Sequence, residues 1–134
     1  MDKIRIAYCL TLYDALNNML FENIEENKPP VERKIPFKTK YKIQKNLNIL
    51  AKDYVYFEDE RHKLIQEYGE QKDSSIIVKE ENIQKYKEDL SKILSMEVER
   101  DFSKLTEKEL EDIGDDVVVD CASMELLIKY MIEQ

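Results

Sequence analysis

The chain is short of the residues that make tight turns. Among its 134 residues there are 2 glycines and 3 prolines. β-Sandwiches, propellers and collagen need many more, so those architectures are excluded, as is a glycine-rich phosphate loop. There is no tryptophan and 1 histidine, too little imidazole for a zinc or bundle di-metal centre. Cys9 and Cys121 lie far apart and have no metal-type spacing. They read as two reduced, buried thiols of a cytoplasmic protein. No apolar run approaches a bilayer-spanning length. The start, MDKIRIAYCLTLYDALNN, lacks the apolar core and small-residue cleavage site of a secretory signal.

Charge is what the chain has in quantity. It carries 29 acidic and 21 basic residues, a net charge of −8, and 37% of its residues are charged. An acidic balance disfavours general nucleic-acid binding, because phosphate neutralisation supplies most of that affinity. Hydrophobic residues are still 43%, enough for one core in a chain of single-domain length. Residues 1–134 therefore read as one domain.

Residues 3–10 alternate, with Ile4, Ile6, Tyr8 and Leu10 on one side, and predict a half-buried strand. Thr11 then fits a helix N-cap, with Asp14 three residues on. Leu12, Leu16, Met19, Leu20 and Ile24 predict an amphipathic helix over 12–25. Residues 31–38 read as extended, limited by Pro36 to an edge strand or loop. The strongest pattern is Ile43, Leu47, Leu50, Tyr54, Phe57, Arg61, Leu64 and Tyr68, spaced alternately four and three. That is a heptad seam on a helix over 40–68. Gly69 stands where a left-handed residue would end it. Residues 70–79 read as a loop, and Ile83, Tyr86, Leu90 and Ile93 predict a second helix over 80–97. The short link makes an antiparallel pairing natural. The second helix is too short to cover the start of the first, so Ile43, Leu47 and Leu50 need another cover, from helix 12–25 or the C-terminal helix. Thr106 with Glu109 is a capping box opening a short helix that ends at Gly114. Val117–Val119 predict a short buried strand, and Met124, Leu127, Ile128 and Met131 a final helix over 122–133. The fold expected is mainly α (α+β): a long antiparallel helical hairpin with additional short helices and a small sheet from 3–9, 31–37, 97–103 and 116–121.

Arg61 breaks the apolar seam. It reads either as a partner-facing cation or as half of an ion pair with Glu58 or Asp89 that fixes register. His62 lies off the seam and should be solvated; with Glu58 it could offer two ligands, too few for a metal site. Acidic pairs such as Glu25-Glu26, Glu80-Glu81 and Asp115-Asp116 are undiagnostic in so acidic a chain. Residues 33–46 hold Arg33, Lys34, Lys38, Lys40, Lys42 and Lys45 and no acid. Taking those six charges from the net −8 leaves the remainder near −14, so the asymmetry is large. Phe37 and Tyr41 interleave with the cations, as in single-strand nucleic-acid grooves. The plainer reading is a solvated basic segment, or one that docks on an acidic surface. No P-loop, nucleophile elbow, zinc-protease or EF-hand pattern occurs, so neither catalysis nor a cofactor is expected.

Lys34-Ile35-Pro36-Phe37-Lys38 leading into Tyr41-Lys42-Ile43-Gln44-Lys45-Asn46, then Phe57-x-x-x-Arg61-x-x-Leu64-Ile65-x-Glu67-Tyr68-Gly69, resembles a group of small phage and prophage proteins of low-GC Gram-positive bacteria. About half the chain carries the resemblance. It implies a setting among phage structural or assembly genes and no catalytic residue. The expectation is a non-enzymatic protein acting by protein–protein contact, in virion or tail assembly, in the bacterial cytoplasm or on the virion. Partners would be other proteins or a second copy, with no membrane and nucleic acid disfavoured. Its working surface would be the exposed part of the long helix, Arg61 included, with the basic segment 33–45. Two alternatives are an acidic inhibitor that imitates nucleic acid and a nucleic-acid module using 33–45.

Overall fold

The computed structural model describes residues 1–22, 26–114, 117 and 119–134. Strand β1 (Asp2–Arg5) runs directly into helix α1 (Ile6–Leu20), followed by β2 (Phe21–Glu22), β3 (Val31–Glu32) and the long helix α2 (Phe37–Tyr68). Then come β4 (Gly69–Lys72), β5 (Ser75–Val78), a 3₁₀ turn (Glu80–Asn82), α3 (Ile83–Leu94), β6 (Glu97–Arg100), α4 (Glu107–Glu111) and α5 (Cys121–Met131). The fold is α+β, mostly helical. Among the described residues the strands form three separate two-stranded antiparallel pairs, β1–β6, β2–β3 and β4–β5, not one sheet.

The start of the chain corrects the first expectation. The strand stops at Arg5, and the helix begins at Ile6 instead of Leu12. The alternation over 3–10 fits a helix as well as a strand here, because Ile6, Cys9, Leu12, Leu16 and Met19 also fall on one helical face, and all are buried. The strand ends where its partner ends. Ile4 sits opposite Val98 in β6, and the N–H of Ile6 donates to Met96 O at 2.9 Å. That bond satisfies one of the four orphan donors of the helix start, which has no side-chain cap. Thr11 is no N-cap; it lies inside α1 and donates to Ala7 O at 3.2 Å. The helix expected to reach residue 25 ends at Leu20, and residues 23–25 lie outside the described residues.

Helix α2 is continuous over 32 residues, about 48 Å at 1.5 Å per residue. Its first half lies in the core. Ile43 and Leu50 are fully buried with Leu12, Leu16, Met19 and Leu20 of α1 and Leu127 and Met131 of α5. Burying each such side chain contributes about 1.5–3 kcal/mol. The start of the seam is thus covered by α1, one of the two covers expected for it, and it is not part of the exposed working surface.

The buried face of α2 is also turned from the expected seam. Its buried residues are Thr39, Ile43, Asn46, Leu50 and Asp53, while Leu47 is half-buried and Tyr54 exposed against a stacked Tyr13. The polar members are anchors. Asp53 takes Arg100 of β6 in a two-pronged ion pair, at 2.5 and 3.0 Å. Asn46 trades two hydrogen bonds with the Ser103 backbone, at 2.9 and 2.8 Å. Lys42 reaches Glu109 of α4 at 2.6 Å. Residues 100–109 therefore run back along α2, laced to it at three points.

The second half of α2 has no such cover. Among the described residues, not one between Tyr54 and Asp101 is buried. Tyr68 donates its hydroxyl to Asp89 of α3 at 2.6 Å, and Asn82 donates to Tyr68 O at 3.2 Å. Here α2, β4, β5 and α3 form a thin arm. Residues 70–79, expected as a loop, are mostly the β4–β5 hairpin, closed by a two-residue turn with Asp73 at φ 53. Gly69 is not left-handed; its φ is −100. It is needed for space, because a Cβ there would run into Ile65 O and approach Ile76 Cγ2 at 2.7 Å.

Further on, the capping box of Thr106 and Glu109 is present. Its helix, α4, is shorter than expected and ends at Glu111, with Gly114 beyond it at φ 117. Val117 and Val119 belong to no strand, and Val118, Asp115 and Asp116 lie outside the described residues. α5 buries Ser123, Leu127, Tyr130 and Met131, so its face too is turned from the expected one, and Ile128 is exposed. Among the described residues no helix is long and apolar enough to cross a membrane.

Replacing Arg100 by Met leaves the carboxylate of Asp53, 4% exposed, without its cation. The expected cost is about 2 kcal/mol, less than for a fully enclosed pair because part of the guanidinium stays hydrated. Urea denaturation measures it, and an unchanged midpoint contradicts the anchoring role.

Candidate functional site

The basic segment occupies the β3–α2 corner and the first turns of α2. Pro36 is the N-cap residue and supplies no side-chain cap. Only the N–H of Lys40 finds the first intrahelical acceptor, Pro36 O at 3.0 Å. No acid lies in the first turn, which carries Lys38 and Lys40 instead. Cations at the positive end of a helix dipole are unfavourable by about 0.3–1 kcal/mol each. This end of the helix therefore favours a negatively charged neighbour.

The expected interaction residues separate into two groups. Four are engaged within the chain. Arg33 donates to Asn18 O at 3.2 Å and to Glu22 at 3.3 Å. Lys40 pairs with Glu32, and Lys42 with Glu109. Arg61 takes Glu58 at 2.7 and 3.3 Å, which is the ion pair expected one turn back. Asp89, its other expected partner, is taken by Tyr68. The second group is presented outward. Lys34, Lys38 and Lys45 are exposed and have no ion-pair partner among the described residues. Phe37 is 88% exposed and Tyr41 66%. Phe37, Tyr41 and Lys45 follow at intervals of four and share one helix face. Beside them Ile35 and Phe37, with Glu32, Arg33, Lys34 and Lys40, line a shallow, open depression. The arrangement offers two aromatic faces and three exposed cations to an anionic surface.

Lys42 belongs to the structure and not to this surface. Its hydrogen bond to Glu109, helped by the Thr106 backbone N–H, pulls the Glu109 carboxyl down to about 2. The capping box is legible in the sequence, but this cation is not, because it comes from 67 residues away.

The remaining chemically interesting groups are quiet. Cys9 is buried beside Asp53, and burial together with that carboxylate pushes its thiol up to about 12, so it is no thiolate nucleophile at neutral pH. Cys121 is exposed at the start of α5, which corrects the expectation of two buried thiols. His62 is exposed as expected. Among the described residues no three His, Cys, Asp or Glu side chains cluster as metal ligands. Compared with known proteins, the chain matches no family model, no curated protein and no solved structure.

Glu109 has its carboxyl held below the usual carboxylate range in the folded state. Its stabilisation is complete above about pH 4.5 and fades as pH falls toward 2. Lys42→Met should cost about 1.5–2 kcal/mol at neutral pH, with the difference from the parent shrinking at about pH 3. Urea midpoints at the two pH values test this; a pH-independent difference assigns Lys42 a packing role only.

Proposed function

We propose that this chain is a non-enzymatic contact protein that docks an acidic partner surface with the start of α2. The setting we infer is virion or tail assembly, in the host cytoplasm or on the particle, on the strength of the residues that resemble small phage and prophage proteins. On this reading α2 and α3 form a long antiparallel helical hairpin at the end of α2 remote from the docking residues. One observation carries the proposal: Phe37 and Tyr41 stand 88% and 66% exposed on one face of α2, flanked by Lys34, Lys38 and Lys45. Aromatic side chains are enriched at protein interfaces and tyrosine is among the residues that carry most of the binding energy; the lysines supply charge complementarity to an acidic surface. They gain nothing for the folded chain alone, and an acidic partner would also complement the bare helix start.

The test compares the parent protein with Phe37→Ala/Tyr41→Ala and with Lys34→Glu/Lys38→Glu/Lys45→Glu, as baits in cells in which phage particles are being made. All five positions are exposed, so stability should change by less than about 0.5 kcal/mol per site. A protein held by the parent bait should be held about tenfold more weakly, or lost, with both variants. Undiminished capture by both overturns the proposal. If labelled single-stranded DNA binds with an affinity that falls steeply with salt, and the lysine variant abolishes it, a nucleic-acid module replaces the protein-docking reading.

A further inference from the structure

The chain exposes far more surface than a compact monomer of its size. Its accessible area is 9247 Å² at 16.0 kDa, against about 7,400 Å² for a folded monomer of that mass. The excess, about 1,900 Å², is more than twice the roughly 800 Å² that each partner gives up in a standard interface. The arm contributes to it, since no described residue from Tyr54 to Asp101 is buried.

On this arm β5 is an unguarded edge. The hairpin register pairs Lys72 with Ser75 and Glu70 with Ile77. Residues flanking a two-residue turn exchange hydrogen bonds, and the alternation of the antiparallel ladder follows from them. Lys79 N donates to Tyr68 O at 3.1 Å, on the same phase. The N–H and C=O of Ile76 and Val78 are therefore directed away from β4, and among the described residues β5 pairs with no other strand. Natural edges are blunted by charge or proline. β4 carries Glu70 and Lys72, whereas β5 reads Ser-Ile-Ile-Val, with Ile76 42% and Ile77 49% exposed.

We propose that two copies join edge to edge through β5, forming a four-stranded antiparallel sheet across a two-fold axis at Ile77. The hydrogen-bonding phase, with the requirement that both outward-facing residues of β5 find partners within the strand, selects this register. Outward-facing residues must meet outward-facing residues, so Ile76 exchanges bonds with Val78 of the second copy. Ile77 then faces its own counterpart as a non-hydrogen-bonded pair, where side chains approach most closely. A second copy is the occupant because the edge is self-complementary: it places Ile and Val opposite each other and no charge within the strand. This surface lies at the opposite end of α2 from Phe37 and Tyr41, so the two proposals stand or fall separately.

Sedimentation of the full chain from about 10 µM to 1 mM tests the proposal. The parent mass should rise from 16.0 kDa toward double that value. Ile77→Lys places two like charges face to face and should remain monomeric at every concentration, with the circular dichroism of the parent. Independently, Ile77→Cys in a Cys121→Ser background should form a disulfide-linked dimer under mild oxidation, because opposed non-hydrogen-bonded positions suit a disulfide. Glu70→Cys in the same background, on β4, should not. A parent that stays at the monomer mass at 1 mM overturns the proposal. So does a dimer that survives Ile77→Lys, or one that the Ile77→Cys variant fails to cross-link.

Discussion

Asp53 lies almost out of solvent on α2, bonded twice to Arg100, with the Cys9 thiol of α1 beside it. A carboxylate in that position is costly unless its cation is held against it, so the long helix has one acceptable rotation. With Asp53 turned inward, Asn46 and Thr39, seven and fourteen residues earlier, are carried inward too. Asn46 is satisfied by the Ser103 backbone, and Lys42 meets Glu109 at the edge of the same face. The segment from Arg100 to Glu109 is mostly irregular. It keeps its course because three successive side chains of α2 bind it at intervals down the helix.

That lacing stops at Asp53, and the molecule changes character there. Toward the start of α2, helices α1 and α5 supply a closed core around Leu12, Leu16, Ile43, Leu50 and Leu127. Toward its end, α3 and the β4–β5 hairpin lie against α2 as a single layer, and its residues are at best half-buried. A single layer removes little apolar area from water, so its own contribution to stability is small. One continuous helix ties this weakly stabilised arm to a well-buried body. Both surfaces left open, the aromatic and basic start of α2 and the β5 edge, are held at opposite ends of the same rigid element.

Apolar periodicity is informative about where helices lie and misleading about how they are turned. The spacing of Ile43, Leu50 and Phe57 locates α2, and Thr106 with Glu109 locates the start of α4. The rotation of α2 escapes the pattern, which points Leu47 and Tyr54 inward and passes over Asn46 and Asp53. A buried polar residue carries no mark in the sequence when its partner lies dozens of residues away. The same error recurs in α5, where Ser123 and Tyr130 are buried and Ile128 is exposed. The β4–β5 hairpin has a weak signature because a turn through Asp73-Ser74 lacks the usual glycine. Within the basic segment, local spacing does not distinguish free cations from occupied ones, since Glu22, Glu32 and Glu109 that occupy three of them come from other elements.

Composition and local spacing dictate a glycine-poor, mostly helical chain with one long amphipathic helix, a cluster of cations at that helix's start and no recognisable catalytic pattern. These features need no knowledge of what lies across the core. Packing in three dimensions settles which half of the long helix is covered and which of its faces points inward. It also settles which lysines are occupied and which strand edge is left bare. Each of those depends on a partner distant along the chain, and a residue's own neighbours in sequence hold no record of the group that will neutralise it or bury it.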